Sequence, residues 1–218
     1  MAPTHLYLIR HGEAECHLRG IVGGRRGDVG LSALGVRQAE ALRDRLANHR
    51  EIAADLLIAS TLPRARQTAE IIAPALDLPI ILDDEVRELD PGDADGMRYD
   101  EVERTFGTFD IERQFLRPFA PGAESWAQFM VRVATALDRL WYEHRGKSVA
   151  VVCHGGVIEG SFVYFFGLGS LSKPPAGFST ANTSITHWEY REAAERMPAQ
   201  WYLVRYNDAA HLRDACIA

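Results

Sequence analysis

Val149-Ala150-Val151-Val152-Cys153-His154-Gly155-Gly156-Val157-Ile158 is the stretch from which the fold is read. Five apolar residues run without polar alternation, so both faces of an extended segment need cover. That is the signature of a strand at the centre of a sheet clad by helices on both sides. The glycine pair interrupts the run, and Val157 to Phe166 returns as an apolar, helix-like segment. A strand that passes directly into a helix is the building unit of a parallel α/β sheet.

The same grammar repeats outward from this stretch. Leu6-Tyr7-Leu8-Ile9 is a short apolar strand that stops before Gly12. Ser32 is placed to cap a helix running to about His49, with Val36, Ala39, Leu42 and Leu46 on one stripe and Arg37, Arg43 and Arg45 off it. Asp55 to Ala59 reads as a second strand, and Pro63 suits the first turn of a helix carrying Arg64, Thr68, Ile71 and Ile72. Ile80-Ile81-Leu82 is a third strand, Glu124 to about His144 an amphipathic helix, and Thr183 to Tyr190 and Trp201 to Tyr206 later strands. Asp83 to Gly122 reads as an irregular insert with one or two short helices around Tyr99 to Leu116. Ser170 to Ser179 reads as a Pro/Gly/Ser loop and Asn207 to Ala218 as an irregular tail. The expected architecture is a mostly parallel central sheet with helices on both faces and a small helical and loop insert over the site. Residues 1–218 are expected to form a single domain, without repeats, low-complexity tracts or a linker.

Composition narrows the function classes. The chain has 218 residues, 47% of them hydrophobic and 25% charged. A chain of this size buries roughly 70% of its unfolded surface and needs no disulfide or metal staple. Lys plus Arg is 24 against 30 Asp plus Glu, so the net charge of −6 argues against non-specific nucleic-acid binding. An anionic ligand would need a locally positive pocket. No apolar run approaches the ~18 residues of a membrane span, and Met1 to Arg10 lacks the basic start of a signal peptide. Cys16, Cys153 and Cys216 are odd in number and irregular in spacing, which predicts neither a disulfide framework nor a zinc ribbon. The expectation is a cytoplasmic protein with no metal and no cofactor, and with no nucleic-acid or membrane partner. A homodimer is compatible with the sequence.

Chemistry concentrates at strand ends. Arg10-His11-Gly12 and His154-Gly155-Gly156 each follow an apolar strand. If those strands are neighbours, both imidazoles enter one crevice at the carboxyl edge of the sheet. The glycine after each histidine is expected to let backbone approach a ligand, and the helix after His154 to aim its N-terminus at an anion. Arg64 lies just inside another helix that follows a strand, and Glu88 lies just after the third strand. Two guanidiniums can grip phosphoryl oxygens, and a neutral histidine can attack phosphorus. The second histidine can donate a hydrogen bond, and a carboxylic acid can protonate the leaving oxygen. At this level either histidine could be the nucleophile. Glu88 competes with Asp83, Asp84 and Glu85.

With these residues in place, the sequence resembles the histidine phosphatase superfamily, the group that includes cofactor-dependent phosphoglycerate mutases. Leu8-Ile9-Arg10-His11-Gly12-Glu13 matches its opening signature. Asp28, Leu31, Gly35 and Gln38-Ala39 match the pattern that follows, and Ser60, Arg64-Ala65 and Gln67-Thr68-Ala69 match the second motif. Glu88 with Gly92 and Gly96 matches the acid-bearing loop, Val152 to Ile158 the last motif, and Asn182-Thr183-Ser184-Ile185 the segment entering a late strand. The resemblance implies that His11 becomes phosphohistidine, that Arg10, Arg64 and His154 bind the phosphoryl group, and that Glu88 is the general acid and then the base. It also implies that no metal is needed. Ala14 stands where relatives carry a hydroxyl, His17 where mutases carry Asn, and Glu159 where an arginine is common.

Arg25 and Arg26, in the Gly20 to Gly30 loop, and His17 at the rim are expected to meet the substrate. A solvated surface pair is the competing reading for the two arginines. Arg98 is a weaker case of the same kind. Trp126, Phe129, Trp141, Phe162, Phe165 and Phe166 read as core, and Cys153 as an inert core thiol. The leading function is a histidine acid-type phosphatase, a metal-independent phosphoric monoester hydrolase acting on a small phosphorylated metabolite. The alternatives are mutase-type phosphoryl transfer and, from another class, non-catalytic binding of a phospho-ligand on the same fold. The short gap between Glu88 and His154, and Arg87-Glu88-Leu89-Asp90-Pro91-Gly92 in place of a mutase-like stretch, favour the phosphatase. A mutase must build a lid that excludes water.

Overall fold

A computed structural model describes residues 2–168, 177–194 and 197–217. Its six strands are β1 (Thr4–Arg10), β2 (Leu56–Ser60), β3 (Ile80–Asp83), β4 (Ser148–Cys153), β5 (Ile185–Arg191) and β6 (Gln200–Asp208). They form one sheet in the order β3-β2-β4-β1-β5-β6. The pairs β3–β2, β2–β4 and β4–β1 are parallel, whereas β5 and β6 join antiparallel. The helices are α1 (Glu15–Leu18), α2 (Ala33–His49), α3 (Pro63–Leu76), α4 (Tyr99–Phe106), α5 (Trp126–Glu143), α6 (Gly155–Phe165) and α7 (Ala210–Asp214).

The period-2 geometry of the strands sorts their side chains into two cores. Leu6, Leu8, Ile58, Val149, Val151 and Cys153 face α5 and α6, which contribute Phe129, Val133, Leu137, Val157, Ile158 and Phe162. Ile9, Leu57, Ala59, Ala150 and Val152 face the opposite layer, where α2 and α3 supply Leu42, Leu46, Ala65, Ala69 and Ile72. The unbroken apolar run of β4 is thus the centre of the sheet, covered on both faces. Each large aliphatic buried there contributes roughly 1.5–3 kcal/mol.

Helix starts follow local chemistry. The Ser32 hydroxyl accepts the Gly35 N–H at 3.0 Å, Pro63 occupies the first turn of α3, and Ser125 and Gln128 form a reciprocal capping box on α5. The helix after His154 begins at Gly155, two residues before Val157, with His154 itself at the cap position. Within 83–122 the structure has α4 and two single 3-10 turns, at Asp84–Val86 and Gly92–Ala94. The insert docks on the glycine-rich loop: Val22 N–H donates to Met97 O at 2.9 Å and Gly96 N–H to Val22 O at 2.9 Å.

The tail departs from expectation. Instead of ending near Tyr206, β6 runs to Asp208 and is followed by α7. Asp208 Oδ1 accepts the Ala210 N–H at 3.0 Å, and His211 is buried, so one hydrogen bond to the residue ahead of the N-cap and one anchored ring order a segment too short to show periodicity. Of the expected Ser170 to Ser179 loop, residues 170–176 lie outside the described residues; 177–179 carry no regular secondary structure.

Candidate active site

The parallel register of β1 and β4 pairs Arg10 with Cys153, and the His11 N–H donates to Cys153 O at 3.0 Å. His11 and His154 therefore leave adjacent strands side by side, with ring centroids 5.1 Å apart. Both rings are buried. Burial, followed by the nearby Arg64 guanidinium, holds both pKa values well below the ordinary histidine value of 6.5, so both rings are neutral near pH 7.

The tautomer of His11 follows from its partners. Nδ1 lies 2.6 Å from the Gly12 carbonyl, an acceptor only, so Nδ1 carries the hydrogen. Nε2 is then the lone-pair nitrogen, and it accepts the Arg64 Nε–H at 3.1 Å. His154 is oriented from behind: Ser60 Oγ accepts the Leu62 N–H at 3.3 Å and lies 2.8 Å from His154 Nε2. Among the described residues the Ser60 hydroxyl has no acceptor other than Nε2, so it donates there and the ring's hydrogen sits on Nδ1. Among the described residues His154 Nδ1 is buried without a partner, and so is Arg10 Nε. Burial opposes the Arg10 charge, as does Arg64, while Glu88 favours it. Buried donors without acceptors are costly. An anion placed here would relieve that cost.

Arg64 is held by Asp28. Its Nη1 donates to Asp28 Oδ2 at 2.8 Å and to Gly23 O at 2.8 Å, with the two side chains 2% and 0% exposed. The same carboxylate accepts the Arg64 backbone N–H at 3.1 Å, so it also caps the free N-terminus of α3. Asp28 appears in the sequence as a motif position, but its grip on Arg64 does not. Asp95 was also missed as a support: its carboxylate accepts the N–H groups of Gly24, Arg26 and Gly27 at 2.9, 2.7 and 2.9 Å, moulding the loop whose Gly23 carbonyl holds Arg64.

At two of the expected positions the protein supplies a partner of its own. Gly12 is required by packing: a Cβ there would lie 2.5 Å from the Gly35 carbonyl oxygen of α2. The N-terminus of α6 does attract an anion, but here it is the protein's own. Glu88 Oε2 accepts the Gly156 N–H at 3.1 Å, and Glu88 Oε1 accepts the Leu89 N–H at 3.0 Å. Gly156 is needed for that approach, since a Cβ would fall 2.3 Å from Glu88 Oε1.

The remaining predicted residues lie farther out. His17, on α1, is exposed with its ring centroid 5.8 Å from that of His11, and partial desolvation with the Arg64 and Arg10 charges lowers its pKa. Arg25 lines a narrow cleft with Leu62, Glu88 and Leu89 and forms a 2.6 Å ion pair with Asp84. Arg26 points outward, 68% exposed, 3.7 Å from Asp95. Arg98 is likewise exposed and pairs with Asp100. Cys153 is buried, which pushes its thiol pKa up and away from nucleophilic use. Among the described residues no group of three or more His, Cys, Asp or Glu is arranged to hold a metal ion, and no helix is long and apolar enough to cross a membrane.

Comparison with known proteins identifies the family and the fold. The model of the histidine phosphatase superfamily (branch 1) matches residues 6–208. The uncharacterized phosphatase PhoE of Bacillus subtilis is 29% identical over 211 residues, covering 96% of this chain and 97% of its own. Phosphoglycerate mutase-like protein 4 of Arabidopsis thaliana is 32% identical over 218 residues, covering 97% and 88%. The solved structure of Bacillus stearothermophilus YhfR superposes with a TM-score of 0.77 at 29% identity, covering 96% and 99%.

Proposed function

Since the chain belongs to the histidine phosphatase superfamily, branch 1, we propose that it is a metal-independent phosphomonoester hydrolase working through a phosphohistidine on His11. The observation that carries this reading is the state of the pocket. A neutral His11 with Nδ1–H committed to Gly12 O stands beside two buried donors, Arg10 Nε and His154 Nδ1, that lack acceptors among the described residues. The phosphatase relative supports hydrolysis.

The steps balance as follows. The substrate's phosphoryl oxygens take hydrogen bonds from Arg10, Arg64 and His154, and the Arg64 Nε–H turns from His11 Nε2 to an oxygen. Nε2 then attacks phosphorus. The phosphorus–oxygen ester bond breaks, and Glu88 delivers a proton to the leaving alcohol. A phosphomonoester with a second pKa near ~6 can itself bring that proton into the site. The cationic character that builds on the ring is met by Gly12 O through Nδ1–H. In the second half Glu88 takes a proton from water, the oxygen attacks phosphorus, and the phosphorus–nitrogen bond breaks. Inorganic phosphate leaves and His11 regains its lone pair. The substrate class is a small phosphorylated metabolite, with His17 and Arg25 placed to meet its non-phosphate part.

The test is to quench turnover of a labelled phosphomonoester without acid, in the presence of EDTA, and to map the label. An acid-labile phosphoryl group on His11 is expected, with activity unchanged by chelation. Label on His154 or Cys153, or activity lost to EDTA and restored by a divalent metal, overturns the mechanism.

A further inference from the structure

A second layer of residues, from the last segment of the described chain, grips the pocket from outside it. The turn at 180–184 touches Arg10, the last residue of β1, and His11, which follows it. The Thr180 carbonyl accepts a hydrogen bond from Arg10 Nη1. The His11 carbonyl accepts two donors, the Asn182 side-chain amide at 2.9 Å and the Thr183 N–H at 3.3 Å. The next carbonyl, that of Gly12, orients the His11 ring. The peptide carrying the nucleophile is thus held at both ends, once by its own side chain and once by this turn.

The turn does not rest in a relaxed shape. Thr183 is buried with φ 55°, in the left-handed region that a β-branched residue rarely enters. Such strain persists only where neighbours impose it. The neighbours here come from the end of the sheet and beyond. Asn207 Oδ1 accepts the Ala181 N–H at 2.7 Å, and His211 Nε2 lies 2.9 Å from Thr183 Oγ1.

The hydrogens along this chain run one way. Arg45 Nη1 is only a donor and faces His211 Nδ1 at 3.4 Å, so Nδ1 accepts. The neutral ring then carries its hydrogen on Nε2 and donates to Thr183 Oγ1. The Thr183 hydroxyl passes its own hydrogen to Asn182 O at 2.7 Å. Glu51 and Asp208 hold Arg45 in place.

We propose that His211 and Asn207 are positioning residues: through the turn at 180–184 they fix the main chain of His11 and the guanidinium of Arg10 in the phosphoryl-binding geometry. This rests on the phosphatase reading above for the reaction, though not for the geometry. Neither residue touches the substrate, so both act through Thr183, Asn182 and Thr180. A small displacement of a reacting group costs rate far more than binding.

The experiment uses the full chain with para-nitrophenyl phosphate and the variants His211→Leu, Thr183→Val, the double variant, His211→Gln and Asn207→Ala. Thr183→Val keeps the branched shape and loses only the hydroxyl; Gln restores a donor near the position of Nε2. Expected are a fall in kcat of ~10-fold for His211→Leu and Thr183→Val with KM little changed, and no further loss in the double variant. His211→Gln should recover to within ~3-fold and Asn207→Ala should fall by a few-fold. A lower Tm with kcat per folded molecule unchanged, or losses that multiply in the double variant, overturns the proposal. A second readout is independent of turnover: the proton-detected resonance of His11 Nδ1–H. Its shift in His211→Leu supports the proposal, and an unchanged resonance overturns it. A wild-type chain that turns over no phosphomonoester defeats the phosphatase reading alone and leaves this second readout decisive.

Discussion

Two arginine clusters in this molecule differ in what they leave over. Around Arg45 and Arg205 the charges are closed: Arg45 forks onto Glu51 at 2.5 and 3.0 Å and onto Asp208 at 3.1 and 2.6 Å, and Arg205 bonds to the same two carboxylates at 2.7 and 3.1 Å. Around Arg10 and Arg64 they are open: Asp28 takes one face of Arg64, and Arg10 Nε and His154 Nδ1 stay buried without acceptors among the described residues. The closed cluster borders a cavity of about 570 Å³, lined in part by Arg45, Glu51 and His211. Cavity size therefore does not mark the chemistry. Two unspent buried donors converging beside a neutral His11 do, because their desolvation remains uncompensated until an anion arrives.

Mutating one arginine from each cluster tests this contrast most severely. Arg64→Ala should lower kcat/KM by ~100-fold, the loss of a charge-assisted transition-state contact of ~3 kcal/mol, in steady-state assays. Arg205→Ala should stay within ~2-fold, because Arg205 is 38% exposed and shares its carboxylates with Arg45. Equal losses would erase the distinction between open and closed clusters.

A smaller effect sharpens the acid's place in the open cluster. Gly156→Ala must displace Glu88 or the Phe129 ring, which lies 2.7 Å from the added Cβ. Burst-phase rates should fall ~10-fold or more for alkyl phosphates, whose leaving group needs a proton, and much less for an activated aryl phosphate. A uniform drop would make Glu88 a scaffold.

Activity and stability should part company with pH. His11 stays neutral well below pH 6.5, so the acid limb of kcat/KM should lie below that value. Stability behaves otherwise. His211, packed against Arg45, Asp208, Glu51 and Asp214, and His187, beside His5, Glu189 and Arg205, have pKa values lowered to about 4, chiefly by burial. Between pH 6.5 and 4 the unfolded chain binds more protons than the folded one. Stability is complete above that window and falls as pH drops through it, by up to about 1.4 kcal/mol per pH unit for each ring. Urea unfolding at pH 7 and pH 5 measures the slope, and His187→Gln should flatten it. A small effect is also expected at the rim, where Arg26→Ala should change kcat/KM by no more than ~3-fold, since its side chain is solvated.

Much of this was legible in the residues because local rules coincide with the tertiary outcome. Val149 to Cys153 had to lie between two layers, Ser32 and Pro63 announced helix starts, and Arg10, His11, Arg64 and His154 stood at strand-to-helix turns where α/β sheets place their sites. The supports were not legible, since their partners are groups distant in sequence that only folding brings close. Asp28 caps a helix 36 positions away, Asp95 moulds a loop 71 positions away, and Thr183 reaches His211. Gly12 was read as a place of close approach, and the neighbour that comes close within the fold is the Gly35 carbonyl. The helix Ala210–Asp214 carried no periodic pattern because one hydrogen bond to Asp208 and one buried ring suffice to hold five residues.

The strand order has a consequence in time. β4 lies between β2 and β1, so the central pair of strands cannot close until residue 153 has been made, long after both neighbours exist. Until then β1 and β2 have bare inner edges, and His11 lacks both the carbonyl of Cys153 and the turn at 180–184. Closing so long a loop is slow, and it exposes strands to mispairing. On refolding, helical signal should return first and turnover should follow the slowest phase. During synthesis the nascent chain should stay inert, and vulnerable to edge-to-edge association, until its last third emerges.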